Sequence, residues 1–275
     1  MKIALIGANG QLGSDLVKVL RPVHGLIPLT HADVEITDRA SVESMLQIHQ
    51  PDLVMNMAAF HKVDACEEQI EPTFAVNTYG VRNLALACRA YGAALLHMSS
   101  DYVFGGDKTR ATPYVETDSP APINVYGISK LAGEYFIRYG LDRYYILRVT
   151  GLYGVAGSSG KGGNFVELML RLAKEGKPIR VVDDQRMTPT YTVDLARQIA
   201  ALIETEHYGL YHATNQGSCT WYEFAAEIFR QSGLAPYLSK AKTGDFGEKA
   251  TRPAYSVLEN KALQSIGLDQ MRLWQ

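Results

Sequence analysis

Short apolar runs alternate in this chain with longer stretches whose apolar positions recur every three to four residues. Residues 3–6, 26–29, 53–56, 94–98 and 145–149 have the length and composition of buried strands, whereas 12–20, 41–49, 73–91 and 125–139 carry the helical period. Strand and helix follow one another in a repeated order, which predicts a parallel sheet covered by helices on both faces. Local signals agree with this order. Asp38 stands where an N-cap is needed before one helix, and Pro72 suits the first turn of another.

The second half is less regular. The segment 155–163, Val-Ala-Gly-Ser-Ser-Gly-Lys-Gly-Gly, interrupts the pattern and reads as a linker or a lid. Beyond it the pattern predicts a helix over 165–174, a strand over 179–182 and a helix over 193–204, then the apolar segment 208–213. A further helix begins near Thr220, whose hydroxyl and Glu223 three residues on form a capping-box pair.

Composition narrows the class. The 275 residues, 47% hydrophobic and 20% charged, suffice for one large α/β domain with a small lobe and are unlike a disordered chain. A net charge of −2 gives no reason to expect nucleic acid or an anionic membrane as partner. Cys66, Cys88 and Cys219 are isolated, as are His61, His97 and His212, so neither a disulfide framework nor a metal site is expected. The apolar run at Met1 to Gly7 is too short for a signal-peptide core or a membrane span, and a cytoplasmic location is the expectation.

Chemistry enters at the first strand-to-helix turn. Gly7-Ala8-Asn9-Gly10-Gln11-Leu12-Gly13 follows a strand and opens a helix. In that setting glycines permit the tight turn and let the backbone approach a pyrophosphate at the positive end of the helix. The expected architecture is therefore a Rossmann-type doubly wound parallel sheet. Residues 1–150 would bind NAD(P), and 151–275 would form mainly a small C-terminal substrate lobe, with some segments returning to the sheet. Thr30-His31 replaces the acidic residue that holds a free ribose 2′-hydroxyl in strict NAD enzymes, so NADPH is the expected cofactor with NADH left open. Glu35 and Ile36 either flank the adenine or belong to a surface turn, and Arg39 nearby is either a ligand or a solvated helix residue. The small residues Ala58 and Ala59, with Phe60, end the third strand where a backbone would lie against the cofactor.

Tyr126-Gly127-Ile128-Ser129-Lys130 supplies the reactive pair. Four residues apart on a helix, Tyr126 and Lys130 share a face. A phenol with an ordinary pKa of about 10 needs a nearby cation to work as acid or base near neutrality. Ser99-Ser100-Asp101-Tyr102 lies upstream and offers a hydroxyl for the same site.

Together these motifs resemble the extended short-chain dehydrogenase/reductase family almost end to end, and within it the branch that reduces dTDP-4-dehydro-L-rhamnose to dTDP-L-rhamnose. The resemblance rests on the glycine turn, Ala75-Val76-Asn77, Ser-Ser-Asp-Tyr-Val-Phe at 99–104 and the Tyr/Lys helix. The runs Val-Val-Asp-Asp-Gln-Arg-Met-Thr-Pro-Thr-Tyr at 181–191, Thr-Trp-Tyr-Glu-Phe-Ala at 220–225 and Arg-Pro-Ala-Tyr-Ser-Val-Leu at 252–258 point to the branch.

The resemblance implies that reduced nicotinamide gives hydride to the C4 ketone of a dTDP-linked 6-deoxyhexose. Tyr126 would protonate the alkoxide, Ser100 hydrogen-bond it, and Lys130 support the tyrosine and hold the nicotinamide ribose. Asn77 would belong to the cofactor site. Asp101 would orient a substrate hydroxyl or cap a local turn, and Arg186 and Arg252 are candidates for the nucleotide diphosphate. Trp221, Tyr222 and Phe224 are expected to pack against the core rather than cover a base. One residue departs from the pattern: Gly151 stands where a tryptophan is expected against the sugar.

A divalent ion at a subunit contact through Asp15, and a homodimer, stay open by resemblance. The competing readings are another nucleotide-sugar reductase, epimerase or dehydratase, and a non-catalytic regulatory subunit like that of methionine adenosyltransferase.

Overall fold

The computed structural model describes residues 1–156 and 163–275, so most of the Gly/Ser-rich segment read at 155–163 lies outside the described residues. The first half folds in the predicted order: β1 (Lys2–Ile6), α1 (Gln11–Leu20), β2 (Gly25–Leu29), α2 (Arg39–His49), β3 (Leu53–Asn56), α3 (Val63–Glu68) and α4 (Ile70–Phe74). A π-helical turn, Ala75–Gly80, then joins α4 to α5 (Val81–Tyr91). The pattern at 73–91 predicted one regular helix. The widened turn instead carries Asn77, whose side chain leaves the helix to make three hydrogen bonds described below, a common use of a π-turn at a functional position.

β4 (Ala94–Ser100) ends in a 3₁₀ turn at Asp101–Val103, and α6 (Val125–Gly140) leads into β5 (Tyr144–Val149). The second half supplies β6 (Leu152–Tyr153), α7 (Phe165–Lys174), β7 (Ile179–Val182), β8 (Arg186–Met187), β9 (Thr190–Tyr191), α8 (Thr192–Ile203), β10 (Gly209–His212), β11 (Cys219–Thr220), α9 (Trp221–Ser232), β12 (Leu238–Ala241) and α10 (Lys261–Ser265). Caps fix several starts. Asp38 accepts from the Ala40 N–H before α2, and Thr220 with Glu223 closes a full capping box before α9.

The main sheet has the order β10-β5-β4-β3-β1-β2, and every pairing in it is parallel. Its order reverses between β1 and β3, which opens a crevice at the carboxyl ends of those strands. Alternation along β1 feeds two apolar layers. Ile3 and Leu5 pack with Leu12 and Leu16 of α1 and with Leu195 and Ile199 of α8. Ala4 and Ile6 pack on the other face with Val42 and Leu46 of α2, Leu84 of α5 and Ile137 of α6. β10 closes the sheet beside β5. A separate cluster of Met169, Ile179, Val181, Met187, Phe224 and Trp274 forms the core of the carboxyl-terminal part. Among the described residues, no helix is long and apolar enough to cross a membrane.

Candidate active site

The glycine turn sits at the crevice. Gly7 adopts a left-handed φ of 79°, and its N–H and that of Ala8 both donate to the Leu29 carbonyl at the end of β2. A Cβ on Gly13 would collide with the carbonyl oxygen of Gly7, and one on Gly10 would stand 3.2 Å from the same oxygen. Gly7 is therefore favoured by its backbone conformation and Gly13 required by the packing of helix on turn, with Gly10 a tight fit between them. Gly10 caps α1 without any side-chain hydrogen bond, and the first turn carries no acidic residue. Its N–H groups and positive dipole end are thus left for an anion, and the turn fits the diphosphate of a dinucleotide. Within this motif Asn9 is exposed, Gln11 accepts from Asn164 Nδ2 at 3.2 Å, and the Leu12 side chain is buried in the core.

At the end of β2, the Thr30 N–H and hydroxyl both donate to Asp33 Oδ2 at 2.7 Å, which lowers the Asp33 pKa and leaves that carboxylate engaged. His31 is exposed and lies 3.3 Å from Glu35, whose other oxygen accepts from the Thr37 N–H and hydroxyl. Ile36 is buried in the core against Gly80. The side chains of Glu35 and Ile36 thus serve a turn and the core, while Arg39 pairs with Glu43 on exposed helix surface.

Loop 58–60 is held by Asn77. Its Oδ1 accepts from the Phe60 N–H at 2.9 Å, and its Nδ2 donates to the Phe60 carbonyl at 2.9 Å and to Ser129 Oγ at 3.0 Å. Ser129 Oγ in turn donates to the Tyr126 carbonyl at 2.8 Å. Asn77 therefore clamps the loop beside the crevice to the helix that carries Tyr126.

Ser100, Asp101 and Tyr126 meet at the carboxyl end of β4. Ser100 Oγ accepts from the Tyr102 N–H at 3.2 Å and donates to Asp101 Oδ1 at 3.1 Å. Asn124 caps α6 through the Gly127 N–H at 2.8 Å and so places Tyr126 in the first turn, with the Tyr102 ring edge-on at 5.8 Å. Burial pushes the Tyr126 phenol above its ordinary pKa; a hydrogen bond with Ser100 pulls the other way, while Asp101 and Cys66 add to the rise. Asp101 is buried as well, and its pKa is pushed up to about 6 against the pull of hydrogen bonds with Ser256, Thr150 and Ser100. In this state Tyr126 is a neutral phenol, the form needed to protonate an alkoxide.

Lys130 is fully buried; burial draws its pKa down to about 8, opposed by the Glu134 carboxylate. Its Nζ lies 3.1 Å from His97 Nε2. Glu134 pairs with Arg148 of β5 through two hydrogen bonds, at 2.9 and 2.6 Å, and also accepts from Ser99.

Beside Tyr102, which it hydrogen-bonds, Arg252 pairs with Asp64 at 2.7 Å and Glu248 at 3.3 Å. Arg186 reaches Glu223 at 3.3 Å and the Ser218 hydroxyl at 3.3 Å. Gly151 has a left-handed φ of 57°, and a Cβ there would stand 3.1 Å from Met187 Sδ and from the Thr188 carbonyl oxygen. A tryptophan at this position would strain the backbone and crowd these neighbours, so the turn as folded favours glycine. Phe224 is buried in the carboxyl-terminal core, with Trp221 and Tyr222 packed against it. Asp15 is buried, with Lys18 on one oxygen at 2.9 Å and the Thr192 hydroxyl on the other at 2.7 Å. No group of three or more His, Cys, Asp or Glu placed to hold a metal occurs among the described residues.

The sequence model of the RmlD substrate binding domain matches residues 1–275. The chain belongs to the RmlD substrate-binding-domain family. It is 40% identical over 275 residues to the spore coat polysaccharide biosynthesis protein SpsK of Bacillus subtilis, covering 100% of this chain and 94% of that protein. A dTDP-4-dehydrorhamnose reductase of Streptomyces griseus is 41% identical over 277 residues, covering 98% of this chain and 89% of the relative. Among solved structures, dTDP-4-dehydrorhamnose reductase from Bacillus anthracis in complex with NADP superimposes with a TM-score of 0.94 at 40% identity, over 100% of this chain and 96% of that one.

In this RmlD-family chain, three parts of the site escaped the sequence reading. His97 was grouped with scattered histidines, yet it is the partner of Lys130. Two periods carry the signal: His97 and Ser99 share a strand face, Lys130 and Glu134 share a helix face, and the two faces meet. Arg148 was not singled out, and Tyr102 was quoted only as a member of a motif. The first neutralises Glu134, and the second lies between Tyr126 and Arg252.

Proposed function

We propose that this chain reduces the C4 ketone of dTDP-4-dehydro-L-rhamnose to dTDP-L-rhamnose with NADPH, as a step of nucleotide-sugar biosynthesis. The observation that carries the reading is a half-buried Tyr126 hydrogen-bonded to Ser100, its phenol raised above the ordinary pKa, at the strand ends next to the glycine turn, in a chain of this family.

Gly7, Gly10 and Gly13 and the amino end of α1 would hold the diphosphate of the cofactor, with Asn9, Gln11, Leu12, Thr30 and loop 58–60 alongside. Bound NADPH supplies the hydride. The chain's own groups manage charge and protons. Tyr126 gives its phenolic proton to the oxygen on C4 as negative charge develops there, and Ser100 donates a hydrogen bond to the same oxygen. For that bond the Ser100 proton must leave Asp101, which a protonated Asp101 favours. Lys130 restores the charge balance beside the tyrosine and binds a ribose hydroxyl.

Arg252 and Arg186 would meet the nucleotide diphosphate, each exchanging a carboxylate partner for phosphate oxygens. Residues 1–150 would form the cofactor unit and 151–275 mainly the sugar-nucleotide lobe, with β10 lent back to the sheet. A cytoplasmic homodimer suits the chain, its contact covering the exposed Tyr79, Ile128, Tyr135 and Tyr139.

The test is loss of reduced-nicotinamide absorbance on adding dTDP-4-dehydro-L-rhamnose, with NADPH and NADH compared and Tyr126→Phe as control. Turnover that vanishes in the variant is expected. Cofactor binding without turnover of this ketone would reject the assignment.

A further inference from the structure

The buried polar atoms between β3, β4 and α6 admit one consistent assignment of protons. Asn56 Oδ1 accepts from the Ala58 backbone N–H at 3.1 Å, and a backbone N–H can only donate. The other half of that side-chain amide, Nδ2, faces His97 Nδ1 at 3.1 Å, and it too can only donate. His97 Nδ1 is therefore the acceptor and carries no hydrogen. A neutral imidazole has one N–H, so that hydrogen sits on Nε2. Nε2 points at Lys130 Nζ across 3.1 Å. An N–H cannot donate to an ammonium, which has no lone pair, so Lys130 meets it as the free amine.

The surroundings agree. His97 and Lys130 are both buried, which disfavours the charged form of each. The ionisable groups around Lys130 are Tyr126 and Glu134 on its own helix, His97 on β4, and Arg148 on β5; Asp101 and Cys66 lie against Tyr126. Glu134 would favour an ammonium. Both its oxygens are already held by Arg148, with Ser99 on one of them, which weakens that pull.

We propose that His97 is a positioning residue for Lys130: on the alkaline side of neutrality its Nε2–H holds the uncharged lysine amine against β4 in the cofactor-free enzyme, and the lysine takes up a proton from solvent when nucleotide binds. The balance is one amine and one proton giving one ammonium, with no other reactant. The driving force is the ribose oxygens and diphosphate charge, which favour the ammonium over the amine. This second half rests on the cofactor reading above; the first half does not.

Two measurements test it. Long-range proton–nitrogen correlation spectra of histidine-labelled, cofactor-free protein are expected to report His97 as the neutral Nε2–H tautomer. An Nδ1–H tautomer or an imidazolium at about pH 9, the pH of the calorimetry below, would overturn the proposal. Calorimetry of NADP binding at about pH 9, in buffers of differing ionisation heat, is expected to give uptake approaching one proton per chain. That uptake should be lost in Lys130→Met and in His97→Leu and largely restored in His97→Gln, whose amide again offers a donor. Binding by the wild type without uptake would overturn the coupling. Should His97→Leu fail to fold, the wild type, Lys130→Met and His97→Gln still decide the matter. Absence of NADP binding altogether would reject the cofactor reading and the uptake with it, while the tautomer is still decided by the spectra.

Discussion

Gly127 lies so close to the carbonyl oxygen of Tyr102 that a Cβ at residue 127 would overlap it. This contact presses the first turn of α6 onto the chain just after Ser100 and so sets the distance between the Ser100 hydroxyl and the Tyr126 phenol. Gly127→Ala must push helix and turn apart. We expect kcat to fall by at least about tenfold, because small displacements of reacting groups are costly, and the melting temperature to fall with it. Steady-state kinetics with thermal denaturation checks both; a variant with wild-type kcat would show that the spacing is not critical.

The Glu134–Arg148 pair is buried on both sides. Removing one partner strands the other charge in the interior, and Glu134→Gln or Arg148→Met should each destabilise the fold by about 3–5 kcal/mol. The double variant should cost less than the two single losses added together. Urea denaturation of the four proteins gives the coupling, and simple additivity would refute it.

Much of this was legible in the sequence because its determinants are local. Strands at 3–6, 53–56 and 145–149 follow from apolar runs, and the helix over 165–174 from its period. The glycine turn and the Tyr126/Lys130 pair were readable because their spacing is itself the geometry. What was not readable depends on which distant faces meet. The π-turn at Asn77 exists among partners at residues 60 and 129, and Arg252 is matched to Asp64, far back in the chain. His97 became meaningful only once β4 and α6 were in register. The left-handed φ of Gly151 was not readable either, because it leaves no mark on composition.

At that glycine, substitution tests backbone strain against sugar contact. Gly151→Ala should lose about 1–3 kcal/mol of stability, with crowding of Met187 and Thr188 adding to the strain, while NADPH affinity stays near wild type. Chemical denaturation and cofactor titration measure the two effects. Full stability in Gly151→Ala would contradict the geometric reading.

Asp101 imposes a pH dependence. Its folded pKa, pushed up to about 6 from an ordinary 3.8 by burial, means the folded state holds this proton more tightly than the unfolded chain. Its contribution to stability is thus complete below about pH 4 and is lost as pH rises through about 6. Relative to Asp101→Asn, the wild type should lose up to about 3 kcal/mol across that interval. Denaturation of both proteins between pH 4 and 7 measures the difference, and a difference independent of pH would exclude the assignment.

The central claim is transfer of hydride from NADPH to C4 of the sugar, with Tyr126 as the proton donor. Its most direct test uses NADPH deuterated at the transferable position with dTDP-4-dehydro-L-rhamnose, the product being read by NMR. The account predicts dTDP-L-rhamnose with deuterium at C4 alone, and none formed by Tyr126→Phe. Deuterium at another carbon, or unaltered ketone in the presence of bound cofactor, would contradict it.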